Sequence, residues 1–166
     1  MKYFTVITVL ILLICSCKNN SSNDGDMQTT DSADTAMTLP PASTANFKDL
    51  EKHVGKLPKE IDLFQKYGLY SRIEDIMKSD FAEFKENWNE ETPLKKDGEM
   101  IYFTGCKAGD CKSNNYFIVL DLMINKINVY NFKNEKGRSY EEDHTVIGMP
   151  FKMTDDFMKL REEQSK

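Results

Sequence analysis

Met100-Ile101-Tyr102-Phe103-Thr104-Gly105, Cys106-Lys107-Ala108-Gly109-Asp110-Cys111, Lys112-Ser113-Asn114-Asn115 and Tyr116-Phe117-Ile118-Val119-Leu120-Asp121 follow one another in the chain, and this stretch decides the fold. Its first and last runs are apolar, aromatic and β-branched, a composition that suits a pleated strand. A third run, Asn125-Lys126-Ile127-Asn128-Val129-Tyr130-Asn131-Phe132, alternates strictly. Alternation puts Ile127 and Val129 on one face, with Asn125 and Asn131 as candidates for the same face. A period of two marks a strand with one side in water. The stretch therefore predicts two or three strands with a cysteine-closed loop at the first turn.

Upstream, Leu69, Ile73, Ile76, Met77, Phe81, Phe84 and Trp88 fall in one arc of a 3.6-residue wheel, which predicts an amphipathic helix on a core. Asp80 with Glu83 resembles a capping box, so one bent helix and two short ones both remain open. Trp88 and its two Phe neighbours read as core. Phe47, Leu50 and Val54 share a helical face before Gly55, and Pro58 to Tyr67 reads as an extended piece followed by a turn of helix. Thr92-Pro93 closes the helical region, and Asp97-Gly98 turns the chain into the first strand.

Downstream, Asn134 to Gly137 turns into a shorter strand around Ser139 to Val146. Thr154-Asp155-Asp156 looks like a helix start, with Phe157, Leu160 and Met158 as packing residues. Helices first, a sheet in the middle and a helix last make an α+β domain. Its expected form is an antiparallel sheet of about four or five strands with helices packed on it.

The N-terminus decides the compartment. Met1-Lys2-Tyr3 is a short positive segment, and Phe4 to Ile14 is an almost unbroken apolar run. The run falls short of the roughly 20 residues a bilayer-spanning helix needs, and it reads as an export signal, with an uncleaved anchor as the alternative. Ile14-Cys15-Ser16-Cys17 resembles the lipobox of bacterial lipoproteins, with Ser16 in the small position before Cys17; Cys15 fits badly, because Ile14 would take that position. This resemblance implies cleavage of residues 1–16, a lipid thioether on Cys17 and acylation of the new amine. Several acyl chains on one residue anchor firmly. Lys18 stands where an inner-membrane retention signal would have Asp, which points to the outer membrane, with the domain in the periplasm or at the cell surface.

Lys18 to Asn46 is rich in Ser, Thr, Asn and Asp and poor in large apolar residues, so it reads as a disordered tether with a reach of about 30 Å. The expected domain runs from 47 to 166. With Cys15 lost and Cys17 lipidated, Cys106 and Cys111 remain as a pair in an oxidising compartment. A disulfide is the expectation, and two free thiols would require the export reading to fail. Zinc would need four ligands and finds two cysteines without a nearby histidine. A redox-active pair typically has two intervening residues rather than four.

The 166-residue chain carries 22 Lys and Arg against 27 Asp and Glu, a formal charge of −5. No basic stripe points to nucleic acid. His53 and His144 are far apart, and no metalloprotease, phosphate-loop or nucleophile-elbow motif is present. His144 beside Glu141, Glu142 and Asp143 reads as a solvated charged turn. The pairs Glu90-Glu91, Glu141-Glu142 and Asp155-Asp156 are adjacent in sequence and so diverge. Nothing calls for an enzyme, a metal or a cofactor. The loop is the feature left over: Lys107, Ala108, Gly109 and Asp110 are held between the two cysteines, either as a rigid recognition element or as a structural clip.

Tyr102 to Cys111, and above all Gly105-Cys106-Lys107-Ala108-Gly109-Asp110-Cys111, resembles the hallmark loop of the inhibitor of vertebrate lysozyme family, Cys-Lys-Pro-or-Ala-His-Asp-Cys between two strands. Asn114 to Asp121 and Ile127 to Tyr130 resemble its continuation, and Ile61 to Phe64, Leu69, Arg72 and Ile73 resemble exported relatives with the same loop. The likeness runs over roughly Pro58 to Pro150. It implies a sheet with helices packed on one side and a non-enzymatic envelope protein that blocks a lysozyme-type muramidase. In that family the loop enters the substrate cleft, its histidine meets the catalytic carboxylates and the bridge keeps it stiff. By position Cys106 and Cys111 match the bridge, Lys107 the lysine and Asp110 the aspartate. Gly109 stands where the family has histidine. That departure leaves a second expectation, a binding or structural module that inhibits nothing.

Overall fold

A computed structural model of the chain describes residues 45–163. The expected signal peptide, Cys17 and nearly all of the expected tether lie outside the described residues. Six antiparallel strands make one sheet: β1 (Glu90–Glu91), β2 (Lys95–Asp97), β3 (Met100–Cys106), β4 (Asn114–Asp121), β5 (Lys126–Lys133) and β6 (Lys136–Glu141). β3, β4, β5 and β6 lie side by side in chain order, and both β1 and β2 pair with β3 on its free edge. β1 and β2 thus form one interrupted edge strand. Between them, Thr92 N–H donates to Thr104 O (2.9 Å) and Thr92 Oγ1 accepts from Thr104 N–H (2.9 Å), while Pro93 has no N–H to offer.

The sheet is covered on both faces. On the first, Ile101, Phe103, Tyr116, Ile118, Leu120, Ile127 and Val129 meet the N-terminal helices through Phe47, Leu50, Leu63, Leu69, Ile73 and Phe84. On the second, Tyr102, Phe117 and Val119 meet Ile147 and Met153, with Tyr130 and Phe157 against them. This corrects two expectations, the sheet covered on one side and the wet face of β5. Asn128, Tyr130 and Phe132 point away from Ile127 and Val129, yet Asn128 is fully buried and both aromatic rings stack edge-on against Phe157 of the last helix. Polar residues in an alternating strand resemble a solvent face even when a distant helix covers it.

The N-terminal half is short pieces: 3-10 helices at Phe47–His53 and Pro58–Ile61, then α1 (Leu63–Lys66), α2 (Leu69–Met77), a 3-10 turn at Lys78–Asp80 and α3 (Phe81–Asn87). Phe47 and Leu50 are buried as expected, but Val54 is 41 % exposed. The threefold pitch of a 3-10 helix carries the face from Leu50 to His53 rather than to Val54. The long amphipathic pattern resolves into two helices broken at Lys78, which has φ 52. Asp80 does not cap α3; its carboxylate accepts from Tyr140 (2.7 Å) and Arg138 (2.6 Å) of β6.

Two boundaries differ from expectation. β6 occupies Lys136–Glu141, ahead of the predicted Ser139 to Val146. The last helix, α4, runs Phe151–Glu163, and Thr154 lies inside it with its hydroxyl donating back to Pro150 O (2.9 Å). The cap comes from elsewhere: Asp97 Oδ2 accepts the Met153 N–H at 3.0 Å, so Thr154 was not needed at the start.

Candidate binding loop

β3 and β4 bring Cys106 and Cys111 together at one end of the sheet, with Cα atoms 5.0 Å apart and the sulfurs bonded to each other. The expected disulfide is therefore present. Between them, Lys107 O accepts the Asp110 N–H at 2.9 Å, closing a β-turn with Gly109 in its third position. Gly109 has φ +72, the left-handed conformation that a type II turn demands there. Asp110 O then accepts from Ser113 N–H (3.3 Å), and Cys111 O accepts from Asn115 Nδ2 (3.3 Å). The loop is thus tied to β4 as well as closed by its bridge.

Lys107, Ala108, Gly109 and Asp110 are all exposed. Among the described residues neither the Lys107 ammonium nor the Asp110 carboxylate has a bonded partner. The two charges and the turn backbone between them face solvent as a short, stiff protrusion. Nothing lies within 4 Å of where a Gly109 side chain would begin.

One contact was not legible beforehand. Glu90 of β1, opposite Cys106 across the ladder, accepts the Gly109 N–H at 3.1 Å through Oε1, and its other oxygen is 3.4 Å from Cys111 Sγ. The pair Glu90-Glu91 diverges as expected: Glu91 turns the other way, accepting from Trp88 Nε1 (3.0 Å) and Lys59 N–H (2.8 Å). No local motif marks Glu90; only the pairing of β1 with β3 brings it to the loop. The Gly109 N–H, the one donor this position keeps without a side chain, is thereby occupied within the chain. Glu90 with the two half-cystines is also the one metal-like grouping among the described residues, and its sulfurs are bonded to each other.

The root of the loop is set by Trp88. A Cβ on Gly105 would sit 2.6 Å from three atoms of the Trp88 ring, so the ring lies flat on β3 only because residue 105 has no side chain. Trp88 packs in turn on Phe64, Phe84 and Phe103. On the opposite face, a groove of about 200 Å³ runs beside the loop, lined by Glu90, Thr92, Thr104, Cys106, Cys111 and Leu160.

The two histidines stay away from this end. His53 sits edge-on to Tyr67, with burial first and the ammonium groups of Lys52, Lys56 and Lys66 next holding its pKa below the ordinary value. His144 is exposed in the charged turn after β6. A larger groove of about 470 Å³ between α3 and β6 is lined by Asp80, Glu83, Tyr116, Asn131, Lys133 and Arg138. Asp80 pairs with Arg138 and Glu83 with Lys133 across it, while Lys136 at its rim is exposed.

The loop, its bridge and the strands that carry it fall within residues 68–165, which match the inhibitor of vertebrate lysozyme family. The chain belongs to that family. The match begins ten residues after the likeness seen in the sequence and continues through α4. No curated protein and no solved structure matches the chain.

Proposed function

We propose that this protein is an envelope lipoprotein that binds and blocks a lysozyme-type muramidase through Lys107, Ala108, Gly109 and Asp110. The observation that carries the reading is the bridged turn between Cys106 and Cys111, exposed at all four of its residues, in a chain of the lysozyme-inhibitor family. A preformed loop does not repeat its ordering cost on binding. Cys17 is the site of lipid attachment, and Lys18 favours the outer membrane, with the domain in the periplasm or at the cell surface.

A muramidase cleft holds two carboxylates, one of them an acid with a raised pKa. The Lys107 ammonium is the cation this loop can offer them. Gly109 offers no imidazole, and its N–H already serves Glu90. Inhibition is therefore expected to depend on Lys107 and to be weaker than an imidazole in the same place would give.

The test is a titration of c-type, g-type and i-type lysozymes with the protein. Inhibition of one class, lost on reducing the bridge and on the double change Lys107→Ala with Asp110→Ala, is the expected result. Undiminished inhibition by the double variant would end the loop-insertion reading. A folded protein that inhibits no class would instead be the non-inhibitory binding module on the same fold.

A further inference from the structure

Of the six large apolar side chains exposed among the described residues, Val54 follows the first 3-10 helix and Met158 lies along α4, while the other four lie toward one end of the sheet. Met123, Ile124, Val146 and Phe151 are 66 %, 52 %, 71 % and 91 % exposed. Met123 and Ile124 form the β4–β5 turn, Val146 follows β6, and Phe151 opens α4. The topology brings all three places to the end of the sheet where β3 begins and β4 stops. Leu122 N–H donates to Glu99 O at 2.9 Å, which sets the β4–β5 turn beside the β2–β3 turn. Pro150 packs on Gly98 of that second turn, and the Asp97 cap on Met153 holds the start of α4 there. Lys126, the first residue of β5, pairs with Asp143, three residues before Val146. The cysteine loop is at the other end of β4, about 25 Å away at ~3.4 Å per residue.

The chain enters the domain at this same apolar end. Phe47 N–H donates to the side chain of Asn125, the residue after Ile124, at 3.0 Å. The Arg72 guanidinium lies 4.4 Å over the Phe47 ring, donates to Asn125 O at 2.6 Å and binds both oxygens of Glu142. The point of entry, the β4–β5 turn and the segment after β6 are therefore one rigid piece. Cys17, the residue that the lipobox reading assigns to the membrane after cleavage of residues 1–16, is joined to the domain through that point.

We propose that Met123, Ile124, Val146 and Phe151 form a lipid-docking face, which seats the domain on the bilayer it is tethered to and turns the loop at 107–110 away from it. The inference rests on the lipid-anchor reading of Cys17. Apolar side chains of this size bury at the boundary of headgroups and acyl chains. So small a face would hold a free protein poorly, but attachment through Cys17 would make the second contact intramolecular, at an effective concentration near millimolar for a short flexible link. Of the neighbouring charges, Arg72 pairs with Glu142 and Lys126 with Asp143, while Lys152 beside Phe151 stays exposed, so contact with an uncharged bilayer is mainly apolar and little affected by salt.

The experiment uses the full-length protein, extracted from membranes and reconstituted in phosphatidylcholine vesicles with and without brominated acyl chains. Phe151→Trp places a reporter in the face, at a position too exposed to disturb folding. Trp88, packed on Gly105 at the loop end, is the internal reference. The added emission is expected to shift to the blue and to be lost in brominated vesicles, unchanged by salt, while the Trp88 emission persists. Adding Met123→Asp should restore the added emission. Mass spectrometry of the same sample reports the acyl group on Cys17. Added emission that is not quenched overturns docking, whether or not Cys17 is acylated. Quenching with an unmodified Cys17 keeps docking and removes the anchor reading instead.

Discussion

Gly109 and Gly105 lie four positions apart and are glycines for opposite reasons. At Gly109 the requirement is backbone: φ is +72 and the space around it is open. Histidine is among the residues that tolerate a left-handed conformation, at a cost of about 1–2 kcal/mol. A charge-assisted hydrogen bond from its ring would return roughly 1.5–3 kcal/mol in an acidic cleft. Gly109→His is therefore expected to tighten inhibition by up to about thirtyfold, read from inhibition constants; unchanged or weaker binding would show that the loop does not meet the cleft at this residue. At Gly105 the requirement is space, because the Trp88 ring occupies the position of a side chain. Gly105→Ala should cost about 1–3 kcal/mol of overpacking, measured by urea unfolding. A variant as stable as the parent would mean that Trp88 moves aside freely.

α4 is held to the second face by Phe157 and by one carboxylate. Asp156 accepts from Lys95 (2.8 Å) and from the buried Tyr102 hydroxyl (2.9 Å). The hydrogen bond from Lys95 comes first in holding its pKa below the ordinary 3.8, and that from Tyr102 adds to it. A carboxylate with a depressed folded pKa contributes stability above its unfolded value and loses it as pH falls through the folded one. Asp156→Asn should therefore lower stability by about 1 kcal/mol at neutral pH, with the gap to the parent closing below about pH 4. A gap that persisted at low pH would point to shape rather than charge. On the same face, the Asn128 amide is buried and finds no partner among the described residues. Asn128→Val is expected to stabilise the domain by about 1 kcal/mol or more in thermal unfolding, and a loss would reveal a partner for the amide.

The strands at the centre were readable because the apolar runs and the loop between them are local signals, and β4, buried at all eight positions, carries the strongest. The start of α4 and the second covered face were not, since Asp97 and Phe157 reach their partners across more than 20 residues. Lys78 broke the long helix against its own amphipathic pattern. The candidate site divides in the same way: the bridge and the four loop residues lie in one stretch of sequence, whereas Glu90 becomes a neighbour only through strand pairing.

The sheet as a whole carries the disulfide-closed loop at one end and the entry of the chain at the other. The bridge contributes in both senses. In the chain-entropy account, closing so short a loop is worth about 2 kcal/mol of stability. Replacing Cys106 and Cys111 by Ser should lower the unfolding midpoint modestly, because Asn115 and Ser113 still tie the loop to β4. It should weaken inhibition more strongly, since a loosened turn must be ordered again at each encounter. Equal stability and equal inhibition would make the bridge incidental.

In the proposed lipid-anchored form, copies would meet each other far more often than in bulk solution, and an open sheet edge is where such meetings turn into chains. The edge made by β1 and β2 refuses that role. Thr92 folds inward onto Thr104, Pro93 has no hydrogen to give, and Leu94 is engaged on both sides with Gly55 and Lys56. The opposite edge, β6, sets Lys136 and Arg138 along its length. At high surface density the molecules are thus expected to drift as single units, and the number of loops open to an enzyme should rise in proportion to the number of copies present.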